Sequence, residues 1–256
     1  MEKRLVHPRA NVLGVSVSAL TMEEALETIH DWIVRREQNY VCTLDVHALV
    51  ESRSALDIHE IYQHAGMVAA DGMPLVWLLR RRGYPAAERV CGPDLMPALF
   101  RASEQLGYRH FLYGSTETTL VRLQAELNRQ FPKANIVGSY SPPFRALAPE
   151  EERRIDGLLN GAAPDIVWVG LGAPKQERWM AARRPSLDAP VLIGVGAAFD
   201  MFAGTVKRAP PMLRQTGCEW MFRLSQEPKR LARRYLQSNS KFVMLLIQER
   251  LHSLTQ

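Results

Sequence analysis

Residues 110–131 read HFLYGSTETTLVRLQAELNRQF, and this stretch decides the fold. Its first four residues predict a short strand, Gly114-Ser115-Thr116 a turn, and the remainder a helix ending near residue 131. The unit recurs downstream. A strand is expected at 135–137, a helix at 149–159, and a strand at 166–169 followed by a Gly/Pro turn and a helix through 179. A strand at 191–195 then leads through Gly196 into a short helix. Upstream, 11–17 alternates weakly and reads as one strand. Thr21 and Glu24 form a capping-box pattern opening a helix to about residue 36. Strands at 40–44 and 67–70 and helices at 46–53, 73–82 and 94–106 complete the pattern. Strands alternating with helices predict an α/β fold, a Rossmann-like parallel sheet flanked by helices. In such sheets ligands bind beyond the carboxyl ends of the strands. The loops expected there are Thr43-Leu44-Asp45, Asp71-Gly72, Gly114-Ser115, Gly170-Leu171-Gly172 and Gly194-Val195-Gly196.

The chain changes character after Gly204. Ten of the residues from Lys207 onward are basic and three acidic, a balance of +7. The net charge of the 256-residue chain is +5, so residues 1–206 carry −2. The division expected is a core at 1–204 and a C-terminal helical appendage at 205–256. Pro210-Pro211 breaks the chain, and basic amphipathic helices are expected at about 217–226 and 229–251, with Pro228 between them. A cationic module of this kind seeks phosphates on lipid, nucleic acid or nucleotide. Trp220, Phe222 and Tyr235 among the arginines suit a headgroup interface. The same pattern also describes a solvated basic face over an apolar stripe. Nucleic acid is disfavoured, because no recognised nucleic-acid module is present.

The composition, 46% hydrophobic and 23% charged, is that of a globular protein. No run of about 20 apolar residues predicts a membrane span, and the first residues do not read as a signal peptide. A cytoplasmic location is expected. Cys42, Cys91 and Cys218 lack metal-ligand spacing and read as small buried hydrophobes.

Three motifs carry chemistry. Asp71, at a strand end before a glycine, is placed to face a cleft as a general base, although a turn or helix-cap aspartate has the same pattern. The run 170–177, GLGAPKQE, puts glycines at a strand-to-helix turn where backbone amides meet a phosphate. Lys175 and Gln176 follow on the first helical turn. It is not a Walker loop, and many α/β turns look similar and bind nothing. The run 194–200, GVGAAFD, lacks the third glycine of a dinucleotide fingerprint and lies too late in the chain for one. Arg89 and Asp94 flank a turn, where Arg89 either meets a diphosphate or pairs with Asp94.

Taken together, Thr43-Leu44-Asp45, Ala70-Asp71-Gly72, the run 88–94 (ERVCGPD), Pro142-Pro143-Phe144, Pro164-Asp165 and the runs 169–177, 194–200, 203–210 (AGTVKRAP) and 219–228 (EWMFRLSQEP) resemble the WecG/TagA/CpsF glycosyltransferases. The likeness runs from about residue 11 to 245 in the right order. It implies an inverting, metal-independent transferase without a cofactor. Such an enzyme moves a sugar from a UDP-sugar to a polyprenyl-diphosphate-linked saccharide, in exopolysaccharide or cell-envelope polysaccharide synthesis. It implies Asp71 as general base, with Thr43, Arg89 and Gln176 around the reactive centre. Gly194, Gly196, Phe199 and Asp200 then belong to the nucleotide loop, with Gly114, Gly170, Gly172 and Lys175 as further donor contacts. Arg223, Arg230 and Arg233 correspond to arginines that hold the lipid diphosphate. The appendage would dock on the anionic inner leaflet of the plasma membrane and could pack on a second copy. Members acting with N-acetylmannosamine usually carry Thr-x-Asn where this chain has Thr43-Leu44-Asp45. An ionised aspartate only accepts hydrogen bonds, so a hexose becomes as plausible a donor sugar, and Asp45 is a second candidate base. The rival readings are a nucleotide-binding regulator without transfer activity and a basic nucleic-acid module.

Overall fold

The computed structural model describes residues 7–254, without the side chains at 215, 230 and 252–254. Eight strands form one sheet in the order β1-β2-β4-β3-β8-β7-β5-β6. They are β1 (Arg9–Val12), β2 (Val15–Ser18), β3 (Asn39–Leu44), β4 (Met67–Ala70), β5 (Arg109–Gly114), β6 (Asn135–Tyr140), β7 (Ile166–Gly170) and β8 (Val191–Gly194). Every pairing is parallel except β1 with β2. The single strand expected at 11–17 is therefore a hairpin. Leu13 and Gly14 both adopt positive φ (51° and 95°), and Asn11 Oδ1 accepts from Gly14 N at 2.8 Å. Paired positive φ values give a two-residue turn whose twist matches the flanking strands.

Helices cover both faces, so the inner strands are buried on both sides. In β7, Val167 and Val169 face one core cluster and Trp168 the other. The first cluster takes in α2 (Val46–Ser52), α3 (Leu56–His64), α4 (Met73–Arg81), α7 (Pro149–Ala162) and α8 (Lys175–Arg183). The second takes in α1 (Met22–Arg35), α5 (Gly92–Leu106), α6 (Glu117–Gln130) and α9 (Ala198–Phe202). The capping box of α1 forms as expected: Glu24 N donates to Thr21 Oγ1 at 3.1 Å, and Thr21 N to Glu24 Oε2 at 2.7 Å.

The chain ends in α10 (Pro211–Gln215), α11 (Glu219–Gln226) and α12 (Pro228–Leu254). The sequence reading missed α3 and α10. Pro228 separates α11 from α12 as expected, and Pro211 and Pro228 each open a helix, where a missing N–H costs nothing and the fixed φ is already helical. The basic helices do not stand away from the core. Phe242 of α12 is buried in the first cluster, and His47 of α2 shares a 2.7 Å hydrogen bond with Ser238.

Candidate active site

The carboxyl ends of β3, β4, β7 and β8 open into one cavity of about 1330 Å³, roofed by α11 and α12. Asp71 stands at the end of β4, and Asp71 N donates to Leu44 O of the neighbouring strand at 2.9 Å. Its side chain does not cap α4, since Gly72 occupies the N-cap. The carboxyl lines the cavity with 28% of its side-chain surface accessible. Burial raises its pKa above the usual carboxylate value, with Asp45 and Glu219 adding to the rise and Arg89 opposing it.

Arg89 embraces Asp71 from the next loop. Its Nε donates to the Asp71 carbonyl, and its Nη2 lies 3.2 Å from Asp71 Oδ1. The same Nη2 meets Glu219 Oε2 of α11 at 2.8 Å. Burial alone lowers the affinity of this guanidinium for its proton, but the surrounding carboxylates more than reverse that. The Arg89–Asp94 ion pair weighed from the sequence does not form. Asp94 pairs with Arg208 at 2.6 Å and Arg214 at 3.5 Å, and accepts from the Cys91 thiol at 3.0 Å.

Asp45 has two roles. Its Oδ1 caps α2 by accepting from Ala48 N at 2.7 Å, and its Oδ2 lies 3.4 Å from Arg234 Nη2 of α12. Beside it, burial and Arg234 lower the pKa of His47, against the pull of Glu51 and Asp45.

Thr43 and Gln176 grip the turn after β8 from two sides. Thr43 Oγ1 donates to Gly194 O at 3.0 Å, and Gly196 N donates to Gln176 Oε1 at 3.0 Å. A Cβ on Gly194 would come within 2.8 Å of Gln176 Nε2 and so would displace the Gln176 amide. Of the expected residues, Thr43, Asp45, Asp71, Arg89, Gly170, Gly172, Lys175, Gln176, Gly196, Asp200 and Arg223 line the cavity. Gly114, Gly194 and Phe199 lie behind its wall. The Phe199 ring is fully buried against the Cα of Gly170 and packs as core. Arg233 is exposed away from the cavity, and the Arg230 side chain lies outside the described residues.

Several lining residues escaped the site reading: Arg214, Glu219, Trp220, Arg234 and Tyr235 from the tail, and Tyr113 stacked on Trp179 with centroids 4.1 Å apart. Glu219 lay inside a quoted motif without a role. Arg234 was one arginine in a run, and only the helix phase picks it out.

Residues 10–256 match the family model for the Glycosyl transferase WecG/TagA/CpsF family. The chain belongs to this family. A relative is the N-acetylglucosaminyldiphosphoundecaprenol N-acetyl-beta-D-mannosaminyltransferase of Staphylococcus aureus (strain MW2), 27% identical over 235 residues, which is 91% of each chain. Membership in the WecG/TagA/CpsF family makes the protein a glycosyltransferase of cell-envelope polysaccharide synthesis. Among the described residues, no helix is long and apolar enough to cross a membrane.

Proposed function

We propose that the protein transfers a sugar, N-acetylmannosamine or a hexose, from a UDP-sugar to a polyprenyl-diphosphate-linked saccharide, with inversion. Asp71 takes the proton of the acceptor hydroxyl. The hydroxyl oxygen attacks the anomeric carbon, the bond to UDP breaks, and UDP departs from the opposite face. The donor diphosphate lies against the turns at 170–175 and 194–200, where backbone amides and Arg89 meet the departing negative charge. The acceptor diphosphate is held by the two tail arginines on the cavity wall, the expected Arg223 and, in place of Arg233, its neighbour Arg234. The appendage, residues 205–256, rests on the anionic inner leaflet, where each basic residue contributes roughly 1 kcal/mol.

One observation carries this reading. Asp71 is the carboxyl that both faces the cavity between the glycine turns and the basic tail and has its proton affinity raised by burial. A raised pKa makes a better proton acceptor at neutral pH. The name of the staphylococcal relative supports the lipid-linked acceptor.

The test is a screen of UDP-sugars with short-chain polyprenyl-diphosphate N-acetylglucosamine as acceptor, read as UDP release. Release that depends on both substrates is expected for one donor. UDP binding by calorimetry with no release for any donor would favour the regulatory reading instead.

A further inference from the structure

The run 169–177 ends on Gln176 and Glu177, both buried, and the mechanism above gives Glu177 no part. Carboxylates are seldom fully buried without a partner. Among the described residues Glu177 has no ion pair, and its Oε2 is buried without a hydrogen bond. Its Oε1 accepts from one side chain, Gln176 Nε2, at 3.0 Å, and the Glu177 backbone amide also turns to the carboxylate.

That contact matters because a glutamine amide has two unlike ends. Nε2 only donates and Oε1 only accepts. Gln176 Oε1 must face Gly196 N to accept its hydrogen bond. An ionised Glu177 only accepts, so it selects the Nε2 end and thereby turns Oε1 toward Gly196. The flipped amide would set lone pairs against the carboxylate and N–H against N–H. The turn that Gly196 opens brings Gly196, Ala197 and Asp200 to the cavity wall.

We propose that Glu177 is a positioning residue for the donor site: it fixes the Gln176 amide, which in turn fixes the Gly196 turn. The link to the donor rests on the function proposed above, whereas the link from Glu177 to Gly196 is independent of it. Burial pushes the Glu177 pKa up to about 7, while the Gln176 amide pulls it down. The charge is therefore held against a desolvation cost, and a neutral side chain of the same size would avoid that cost.

The experiment compares wild type, Glu177→Met and Glu177→Gln by amide hydrogen exchange and by kinetics. Methionine fills the space without an acceptor, and glutamine restores a carbonyl. In Glu177→Met the Gly196 amide should exchange about tenfold faster or more, while Leu192 within β8 is unchanged. Donor kcat/KM should fall about tenfold, because the loop holds the donor diphosphate and meets its departing charge. Glu177→Gln should recover most of both. Unchanged protection at Gly196 in folded Glu177→Met overturns the proposal.

Should Glu177→Met fail to fold, wild type and Glu177→Gln decide the matter between pH 8 and 6. Protonated Glu177 can donate to Gln176 Oε1 and compete with Gly196, so wild-type protection at Gly196 should fall as the pH drops. Tyr62 of α3, Cys42 of β3, Asp45 and Arg178 also face Glu177. Burial raises the pKa of both Tyr62 and Cys42, keeping them protonated in this range. Glu177→Gln retains all four, so a wild-type profile no different from that of Glu177→Gln overturns the proposal as well. If wild type fails to bind UDP, the donor-site reading fails, and the Gly196 exchange data still decide whether Glu177 holds the turn.

Discussion

Glu219 Oε2 lies 2.8 Å from Arg89 Nη2, the nitrogen that also reaches Asp71 Oδ1 at 3.2 Å. A carboxylate from the tail thus shares one guanidinium with the proposed base in the core. Glu219 raises the Asp71 pKa directly by its charge, and also by occupying the cation that would lower it. Glu219→Gln removes both effects, so Asp71 should ionise at lower pH. The acid limb of the kcat/KM profile should move down by roughly half to one pH unit. A limb that stays in place would mean that the tail does not tune the base.

Asp71→Asn keeps the oxygen that meets Arg89 but has no proton affinity to offer. We expect kcat to fall about a hundredfold or more, and UDP affinity to stay within about threefold. Stopped-flow UDP release and calorimetry measure the two separately. Turnover at the wild-type rate would remove Asp71 from the chemistry, and the proton acceptor would then have to be sought at Asp45.

The strand ends were legible because glycines and aspartates stand where apolar runs stop, and the alternation of strands and helices fixes which ends face together. Hence Thr43, Asp71, Gly170, Gln176 and Gly196 could be placed from the sequence. What it concealed is long-range. Glu219 and Arg89 are 130 positions apart in sequence, and Asp45 and Arg234 are 189. No local pattern encodes how α11 and α12 fold back over β3 and β4. Phe199 shows the opposite limit: it sits inside a glycine motif, yet its ring packs against Gly170 as core, since the space left by the missing side chain is filled by the ring. The hairpin at Leu13-Gly14 was hidden because leucine at positive φ leaves no turn signature.

Asp45 allows capping and pairing to be separated. Asparagine caps a helix about as well as aspartate, so Asp45→Asn should change stability by less than ~0.5 kcal/mol, whereas Asp45→Ala should lose about 1 kcal/mol. Both lose the charge opposite Arg234, so both should loosen α12 and speed proteolysis of the tail to a similar degree. Urea titration and limited trypsin digestion provide the two readings. Equal stability losses in the two variants would mean that the pair with Arg234, rather than the cap, dominates.

Leu236, Val243, Ile247 and Leu251 form an exposed apolar stripe along α12, with Leu236 72% accessible. Beside basic residues this suits insertion into an anionic headgroup layer. The protein should co-sediment with vesicles containing phosphatidylglycerol and not with pure phosphatidylcholine. Leu236→Glu with Ile247→Glu should weaken binding about tenfold or more, through lost apolar burial and added repulsion. Raising salt should weaken the wild type further, because exposed charges are screened beyond roughly 10 Å at 0.1 M. Undiminished binding by the double variant would place the docking surface elsewhere.

His110, a buried residue of β5, gives a prediction about stability. The indole Nε1 of Trp168 donates to His110 Nδ1 at 3.0 Å, and an indole N–H can only donate, so Nδ1 carries no proton. His110 Nε2 then donates to Ser103 Oγ at 2.7 Å, and the ring is neutral. Burial pushes its pKa down from 6.5 to about 3. Between these values the unfolded chain binds a proton that the native state refuses. The associated stability is therefore fully present above pH 6.5 and is lost as pH falls toward 3. From pH 7 to 5 the loss from this one group is about 2 kcal/mol. His110→Leu leaves the Trp168 indole N–H without its acceptor, while the Ser103 hydroxyl still donates to Leu99 O, so it should cost about 2 kcal/mol at pH 7. It should also make the slope of stability against pH shallower than in the wild type. Urea denaturation at pH 7, 6 and 5 measures both, and parallel slopes would mean that the ring accepts its proton in the folded state, in conflict with its bond to Trp168.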